Sequence, residues 1–344
     1  MKKIGIIGAS GYTGAELLRL IAMHPEFELK VATGETKAGT AIRDLYPSLA
    51  ACYPTENFES FNPDSIDGLD LVFCALPHGI SQSIIPAIHS SVGHIVDLGS
   101  DFRLQDPSLY NEWYATEHSC PELLSEFVYG LPELFRSEIR KAPLIAATGC
   151  NAAASIFALA PFVKSEAIES KGLIVDLITG VSGAGRPPKE MTTFCAVGEN
   201  ISPYGLLTHR HTPEIEQALT TYSGYPTSVL FTPHLAPMNR GIIATCYGRA
   251  KHEITTDEAL HQLHSFYADE PFFVVDERPP STKFTLGSNT VHLTARADVR
   301  TGMIIMIAAL DNLMKGASGM AIQNANLATG IEETTGLPIA GLYP

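Results

Sequence analysis

Cys150 stands between the apolar run Leu144–Ala147, closed by Thr148-Gly149, and the small-residue stretch Asn151-Ala152-Ala153-Ala154-Ser155, which has helical character. A thiol so placed points at the free N–H groups of a helix N-terminus, whose partial positive charge stabilises a thiolate. Since an ordinary thiol is barely ionised at neutral pH, this is the setting a cysteine nucleophile requires, the competing assignment being a buried structural cysteine. Thr208-His209-Arg210-His211 supplies two imidazoles ahead of Thr212-Pro213-Glu214, where Thr212 reads as an N-cap and Pro213 as the first helical residue. A histidine beside a helix N-terminus is disfavoured as a cation and can serve as a base. His-x-His could also pair on a metal, but neither a helical HExxH nor a carboxylate at ligand spacing accompanies it, so no metal is expected.

A second chemical signal lies at the start of the chain. Gly8-Ala9-Ser10-Gly11-Tyr12-Thr13-Gly14 separates the apolar run Ile4–Ile7 from the amphipathic pattern Ala15–Met23. Glycines at 8, 11 and 14 allow a tight turn, close approach of backbone to a pyrophosphate and helix-on-strand packing, with the phosphates at the helix N-terminus. Coenzyme choice would be made at the tip of the next strand, Phe27–Ala32. There Glu35 is available for the ribose hydroxyls of NAD, whereas Thr33, Thr36 and Lys37 could hold the 2′-phosphate of NADP. Three further glycine-rich loops carry arginines: Gly99-Ser100-Asp101-Phe102-Arg103, Thr179–Arg186 and Pro237–Gly241, the last containing Arg240. With Arg210, they offer guanidinium groups to an anionic carboxylate or phosphate.

These groups must be positioned by two kinds of architecture. Apolar runs at Ile4–Ile7, Phe27–Ala32, Leu69–Leu76, Ile95–Leu98 and Leu144–Ala147, alternating with helical patterns at Ala15–Met23 and Ile80–His89, imply a Rossmann-type doubly wound parallel sheet. Beyond Cys150, strands are expected at Gly172–Thr179, Ser228–Thr232, Gly241–Gly248, Phe272–Asp276, Val291–Val299 and Met303–Leu310, and helices at Pro213–Tyr222 and Thr256–Tyr267. This is an α+β second domain with a mostly antiparallel or mixed sheet. A last helix, expected over Asp311–Leu327, returns to the first domain. The expected division is 1–149 with 311–344 for dinucleotide binding, and 150–310 for catalysis, substrate and dimerisation.

Composition narrows the partners. The 344 residues are 45% hydrophobic, with 23 Lys plus Arg against 37 Asp plus Glu and a formal charge of −14, which disfavours nucleic acid. Six scattered cysteines without a C-x-x-C pair argue against a disulfide framework and fit a reducing cytosol, so a cytoplasmic location is expected. No signal peptide is read at the start, and no apolar run approaches the ~20 residues of a membrane span.

A dinucleotide loop, a helix-start cysteine and a downstream histidine together describe reduction of an activated acyl group through a thioester. The chain resembles the N-acetyl-gamma-glutamyl-phosphate reductases of the aspartate-semialdehyde dehydrogenase superfamily. Seven segments in order carry the resemblance: Gly8–Leu17, Ala75-Leu76-Pro77-His78-Gly79, Asp97–Arg103, Thr148-Gly149-Cys150, Ser182–Arg186, His209-Arg210-His211 and Asp311–Ala317. It implies Cys150 as nucleophile, His209 and His211 as the acid/base pair with His211 favoured, and NADP as coenzyme in arginine biosynthesis. The coenzyme site is expected to involve Gly8, Ser10, Gly11, Tyr12, Thr13, Gly14, Thr33, Thr36, Lys37, Pro77, Ser182, Gly183 and Asn312. Ser100, Arg103, Asn151, Arg186, Arg210 and Arg240 are expected around the acyl phosphate and the released phosphate. A homodimer or homotetramer is expected. Two features depart from the family: Asn151-Ala152-Ala153 follow the cysteine where members often have Tyr-Pro-Thr, and Gly34-Glu35 replace a frequent Ser-Arg. Rival readings are a sister reductase of aspartyl or carrier-bound aminoadipyl phosphate, a cofactor-free Cys/His thiol hydrolase, and a non-catalytic dinucleotide sensor.

Overall fold

The computed structural model describes residues 1–344, which form two units: Met1–Thr148 with Ala317–Leu337, and Gly149–Gly316 with Pro338–Pro344. Asp311–Gly316 and the last seven residues thus group with the second unit, not the first as expected from sequence. The physical reason is local. Asp311 is buried and accepts from Gly287 N at 2.8 Å, while Leu342 N donates to Leu286 O at 2.7 Å, tying both segments to the second sheet.

In the first unit, six strands form one parallel sheet in the order β2-β1-β3-β4-β6-β5. They are β1 (Lys2–Ile7), β2 (Phe27–Ala32), β3 (Leu71–Cys74), β4 (Ile95–Asp97), β5 (Val128–Gly130) and β6 (Leu144–Ala147). All four residues of β3 and of β6 are buried, as two-sided helix cover requires. The order reverses between β1 and β3, whose registers pair Ile7 with Cys74, so a crevice at their carboxyl ends is a ligand position. The helix Tyr12–Met23 follows β1, and the helix Gly319–Thr329 completes the unit. This last helix starts later than the expected Asp311. Asp311 Oδ1 accepts from Leu313 N and Met314 N at 2.8 and 3.2 Å, and a π-helical turn, Met314–Ser318, intervenes.

The second unit holds a seven-stranded mixed sheet, β11-β12-β13-β10-β7-β9-β8. Its strands are β7 (Leu173–Gly180), β8 (Ser202–Pro203), β9 (Val229–Ala236), β10 (Ile242–Arg249), β11 (Phe273–Val275), β12 (Val291–Asp298) and β13 (Met303–Leu310). Val175, Leu177, Ala244, Cys246, Ile304 and Met306 alternate onto a fully buried face, covered by the helices Cys150–Lys164 and Thr256–Phe266. The opposite face carries Ile174, Tyr247 and Ile305 in one row and Ile178 and Ile243 in another, all only partly covered.

Candidate functional site

The glycine loop is built for close backbone approach. Gly8 has φ +89, and a Cβ there would lie 2.4 Å from Ala75 O; one on Gly14 would lie 2.5 Å from Ala9 Cα. At Gly11 a Cβ would meet only Gly8 O, at 3.7 Å, so its face is open. No side chain caps the helix Tyr12–Met23, leaving its first N–H groups for an anion. The Tyr46 hydroxyl donates to Ser10 O at 2.8 Å and Gly11 O at 3.2 Å, and Ser318 Oγ donates to Thr13 O at 2.9 Å, pinning the loop from two sides. Tyr46 carried no sequence signal, since a lone tyrosine says nothing of its partner. These features fit a dinucleotide diphosphate.

At the strand tip, Thr33 does different work from that expected. It is buried and its Oγ1 accepts from Gly8 N at 3.3 Å, supporting the loop from behind. Glu35 Oε1 accepts from Phe61 N at 2.7 Å, while Thr36 is exposed and Lys37 half-buried on the same short turn. Gly34 is required by Ser10, whose Cβ would stand 2.8 Å from a Cβ at that position.

Beyond β3 and β4 lie the exposed Pro77 and a polar cluster. Asp101 is buried, accepts from Gly79 N at 2.8 Å and Gln82 N at 3.2 Å, and has His78 Nδ1 at 2.8 Å, which also meets Ser100 Oγ at 2.8 Å. Burial would raise the Asp101 carboxyl, but the His78, Gly79 and Gln82 bonds outweigh it and hold it below the usual range. Asp97, also buried, accepts from Ser81 Oγ at 2.7 Å and Gly99 N at 2.9 Å. Burial and neighbouring Asp101 push Asp97 up to about 7, against those bonds and nearby Arg103. Arg103 is itself buried and donates to Ala147 O at 2.8 Å and Leu98 O at 2.9 Å, so it braces the ends of β6 and β4.

In the second unit, Cys150 is the first residue of the 15-residue helix Cys150–Lys164, with extended Gly149 as N-cap. A chain of contacts runs round it. Cys150 Sγ lies 3.6 Å from Asn151 Oδ1, and Asn151 Nδ2 donates to the Tyr204 hydroxyl at 3.2 Å. The Tyr204 and His209 rings are 5.4 Å apart, and those of His209 and His211 4.8 Å. Glu214 closes the circuit: Oε1 accepts from Gly149 N at 2.7 Å, and Oε2 lies 3.9 Å from His211 Nε2. Burial pushes the Tyr204 hydroxyl up to about 12, the Asn151 bond opposing and the nearby Cys150 sulfur adding to it, so it stays protonated.

The helix after the histidines begins at His211 with Arg210 as N-cap, not at Pro213 with Thr212 as cap. His209 Nδ1 accepts from His211 N at 3.1 Å, so a histidine side chain caps the first helical N–H. Burial, then the charges of His211 and Arg210, lower His209 to about 3, opposed by Glu214. His209 is therefore neutral with its proton on Nε2. Sequence reasoning missed Glu214 and Tyr204. For Glu214 a signal existed, an acidic residue in the first helical turn three places after His211.

The loops carrying Arg186 and Arg240 are zipped together. Val181 N donates to Met238 O at 2.9 Å and Ser182 N to Asn239 O at 3.2 Å. Asn312 binds both, through Nδ2 to Ser182 Oγ at 2.9 Å and by accepting from Gly241 N at 2.8 Å. Gly183 is exposed, 3.9 Å from Asn312 Nδ2 at its would-be Cβ. Arg240 Nη1 lies 3.6 Å from Asp311 Oδ2, while Arg186 is half-buried and Arg210 exposed. No helix is long and apolar enough to cross a membrane, and no group of three or more His, Cys, Asp or Glu side chains could hold a metal.

Comparisons with known proteins fit this geometry. The family model "Semialdehyde dehydrogenase, NAD binding domain" matches residues 3–142, and "Semialdehyde dehydrogenase, dimerisation domain" matches residues 150–312. Relatives called N-acetyl-gamma-glutamyl-phosphate reductase include those of Symbiobacterium thermophilum, 46% identical with 99% of each chain covered, and Desulforamulus reducens, 42% identical with 100% of each. Two solved structures share the fold. Aspartate semialdehyde dehydrogenase II of Vibrio cholerae, complexed with ASA, has a TM-score of 0.71 at 17% identity, covering 95% of this chain and 98% of that one. The Candida albicans aspartate semialdehyde dehydrogenase with NADP has a TM-score of 0.67 at 15% identity, covering 95% and 98%. The dinucleotide-domain match stands against the cofactor-free hydrolase. The chain belongs to the N-acetyl-gamma-glutamyl-phosphate reductases, enzymes of the semialdehyde dehydrogenase family.

Proposed function

We propose that the chain reduces N-acetyl-gamma-glutamyl phosphate to N-acetylglutamate 5-semialdehyde with release of phosphate, using NADP as coenzyme and Cys150 as a covalent nucleophile. The observation that carries this reading is the circuit around Cys150, in which one buried carboxylate, Glu214, accepts from the N–H preceding the nucleophile at 2.7 Å and stands 3.9 Å from the imidazole of His211.

The Cys150 thiolate attacks the acyl carbonyl; a C–S bond forms, the bond from carbonyl carbon to phosphate oxygen breaks, and phosphate leaves with the electron pair. Helix geometry leaves the N–H groups of Asn151 and Ala152 without intrahelical acceptors, so they are placed to stabilise the tetrahedral oxyanion, typically ~3 kcal/mol per donor. A nicotinamide coenzyme held by the glycine loop would supply the hydride that reduces the thioester. His211, as the protonated imidazole, gives its proton to the oxyanion left on the former carbonyl and takes it back as the C–S bond breaks, which restores the thiolate. His209 suits this role less, because its Nδ1 lone pair is already engaged by His211 N. Arg186, Arg210 and Arg240 are the basic groups for the substrate's anionic ends, with Arg103 bracing the strands.

Gly8, Gly11 and Gly14 would hold the coenzyme diphosphate. Thr36 and Lys37 support NADP, since Glu35, which would repel a 2′-phosphate, is turned onto Phe61 N. The half-covered apolar rows on the open face of β7, β10 and β13 support a homodimer formed through that face, and the biosynthetic reaction suits the cytoplasm.

The test is oxidation of N-acetylglutamate semialdehyde with NADP and phosphate, followed at the reduced nicotinamide band, with aspartate semialdehyde as comparison. We expect turnover with the acetylated substrate only, and a loss of at least 10³-fold in Cys150→Ser with coenzyme binding unchanged, since a hydroxyl is far less ionised than a thiol. Turnover of Cys150→Ser within a few fold of the parent overturns the mechanism.

A further inference from the structure

The mechanism leaves one buried cation unused. Lys315 is completely buried, yet its Nζ lies over three phenylalanine rings, 5.3 Å from the centroid of Phe272, 5.5 Å from Phe157 and 5.7 Å from Phe273. The cage is itself braced. Phe157 and Phe273 meet edge to face at 4.9 Å, Tyr267 stacks on Phe273 at 4.2 Å, and the Tyr267 hydroxyl donates to Phe157 O at 2.7 Å. Burying an ammonium is expensive, and an apolar residue of similar length would fill the space at less cost. The charge therefore calls for a role.

Its surroundings indicate one. Lys315 belongs to the π-helical turn Met314–Ser318, and such turns recur at functional sites. The next residue, Gly316, abuts the nucleophile: a Cβ there would come within 2.9 Å of Cys150 Cβ. Gly316 N also donates to Asp311 O at 2.9 Å, so the turn is anchored at its start. Phe157 lies on the helix that Cys150 begins, seven residues further on. The ammonium thus grips the body of that helix while its own turn presses on the first residue.

We propose that Lys315 is a positioning residue for Cys150: its ammonium, held by Phe157, Phe272 and Phe273, seats the turn Met314–Ser318 against the cysteine and lends the thiolate a fixed positive charge. Lys315 is one residue from the contact of Gly316 with Cys150, and a unit charge within roughly 10 Å of a thiol in a protein interior lowers its pKa by about one unit. The other ionisable groups that face the thiol are Tyr204, His209, Arg210, His211 and Glu214, and the Asp311–Arg240 pair stands just before the turn; a substitution at Lys315 removes none of them.

This inference rests on Cys150 being the nucleophile, and the experiment separates the two. Iodoacetamide alkylation of the full chain is followed against pH by mass spectrometry of the Cys150 peptide, which resolves it from exposed Cys52 and Cys195. Lys315→Met, which keeps the length and loses the charge, is expected to raise the pH midpoint by about one unit, whereas Lys315→Arg leaves it within a few tenths. A parental Cys150 that reacts like an ordinary thiol overturns the nucleophile reading. A depressed parental midpoint that Lys315→Met leaves in place overturns the role of Lys315 alone. If Lys315→Met does not fold, Lys315→Gln carries the same expectation; collapse of both would make Lys315 a folding element and overturn the assignment.

Discussion

A single buried carboxyl shows how burial, not partnership, sets the behaviour of some residues in this chain. Asp97 closes β4, and its Oδ1 receives the Ser81 hydroxyl and Gly99 N, yet Oδ2 is buried with no hydrogen-bond partner. Its folded value of about 7 lies well above the ~3.9 of an unfolded aspartate. Between those limits the folded state holds a proton that the unfolded state has released, so this group's contribution to stability falls as pH rises from about 4 through 7. Asp97→Asn keeps an acceptor for Ser81 and Gly99 and removes the titration. We expect its stability relative to the parent, measured by urea unfolding, to increase between pH 5 and pH 8.5 by about 3 kcal/mol. A difference that stays level with pH would show that Asp97 is ionised at no such penalty. The Asp-Leu-Gly-Ser-Asp-Phe-Arg segment was legible as a loop after a strand, but not the unlike fates of its two acids. Asp101 gains His78 and two N–H donors, and this depends on the neighbouring loop, which local sequence does not disclose.

At the level of elements, the glycine loop separates folding from binding. Gly8 and Gly14 admit no side chain because backbone from Ala75 and Ala9 occupies the space, and Gly8 also needs its positive φ. Gly11 has room. Gly11→Ala should therefore unfold within about 0.5 kcal/mol of the parent while losing at least tenfold in coenzyme affinity, measured by fluorescence titration; Gly8→Ala should be destabilised by more than about 2 kcal/mol. Equal stability of the two variants would mean that the loop relaxes and the contacts at Gly8 carry no strain. This loop was readable because strand, turn and helix signals coincide within about twenty residues. Elements without such periodicity were not. Val128–Gly130 and Ser202–Pro203 are too short to show alternation, and both lie at sheet edges. The start of the last helix differs from expectation for a different reason: Leu313, Met314, Lys315 and Ala317 favour helix, but the Asp311 side chain and the π-helical turn delay regular helix to Gly319. At the candidate site, Cys150 and the histidines stood out by residue type and spacing. Glu214 and Tyr204 join them only through tertiary contact.

For the whole molecule, the seven-stranded sheet poses a question of solubility. Its outer face would normally alternate polar residues toward water. Instead, the registers set Leu230, Ile174, Tyr247 and Ile305 side by side across four strands, with Ile178 and Ile243 in a neighbouring row and Ile307 between rows on β13. Asp176 and Thr245 interrupt the pattern, yet the face remains a contiguous apolar surface on a chain with a net charge of −14. That charge deters nonspecific association by repulsion, so an apolar patch of this size persists best in a self-complementary contact that hides it. An isologous pair through β7, β10 and β13 would stack like on like, and one substitution is then introduced twice near the axis. Ile305→Lys should therefore convert a dimer to monomers in sedimentation, with the parental circular dichroism retained because Ile305 lies outside the packed core. Sedimentation of Ile305→Lys at the parental mass would place the contact elsewhere on the surface, for which Phe194, Leu206 and Leu207, all exposed, are the alternative apolar group.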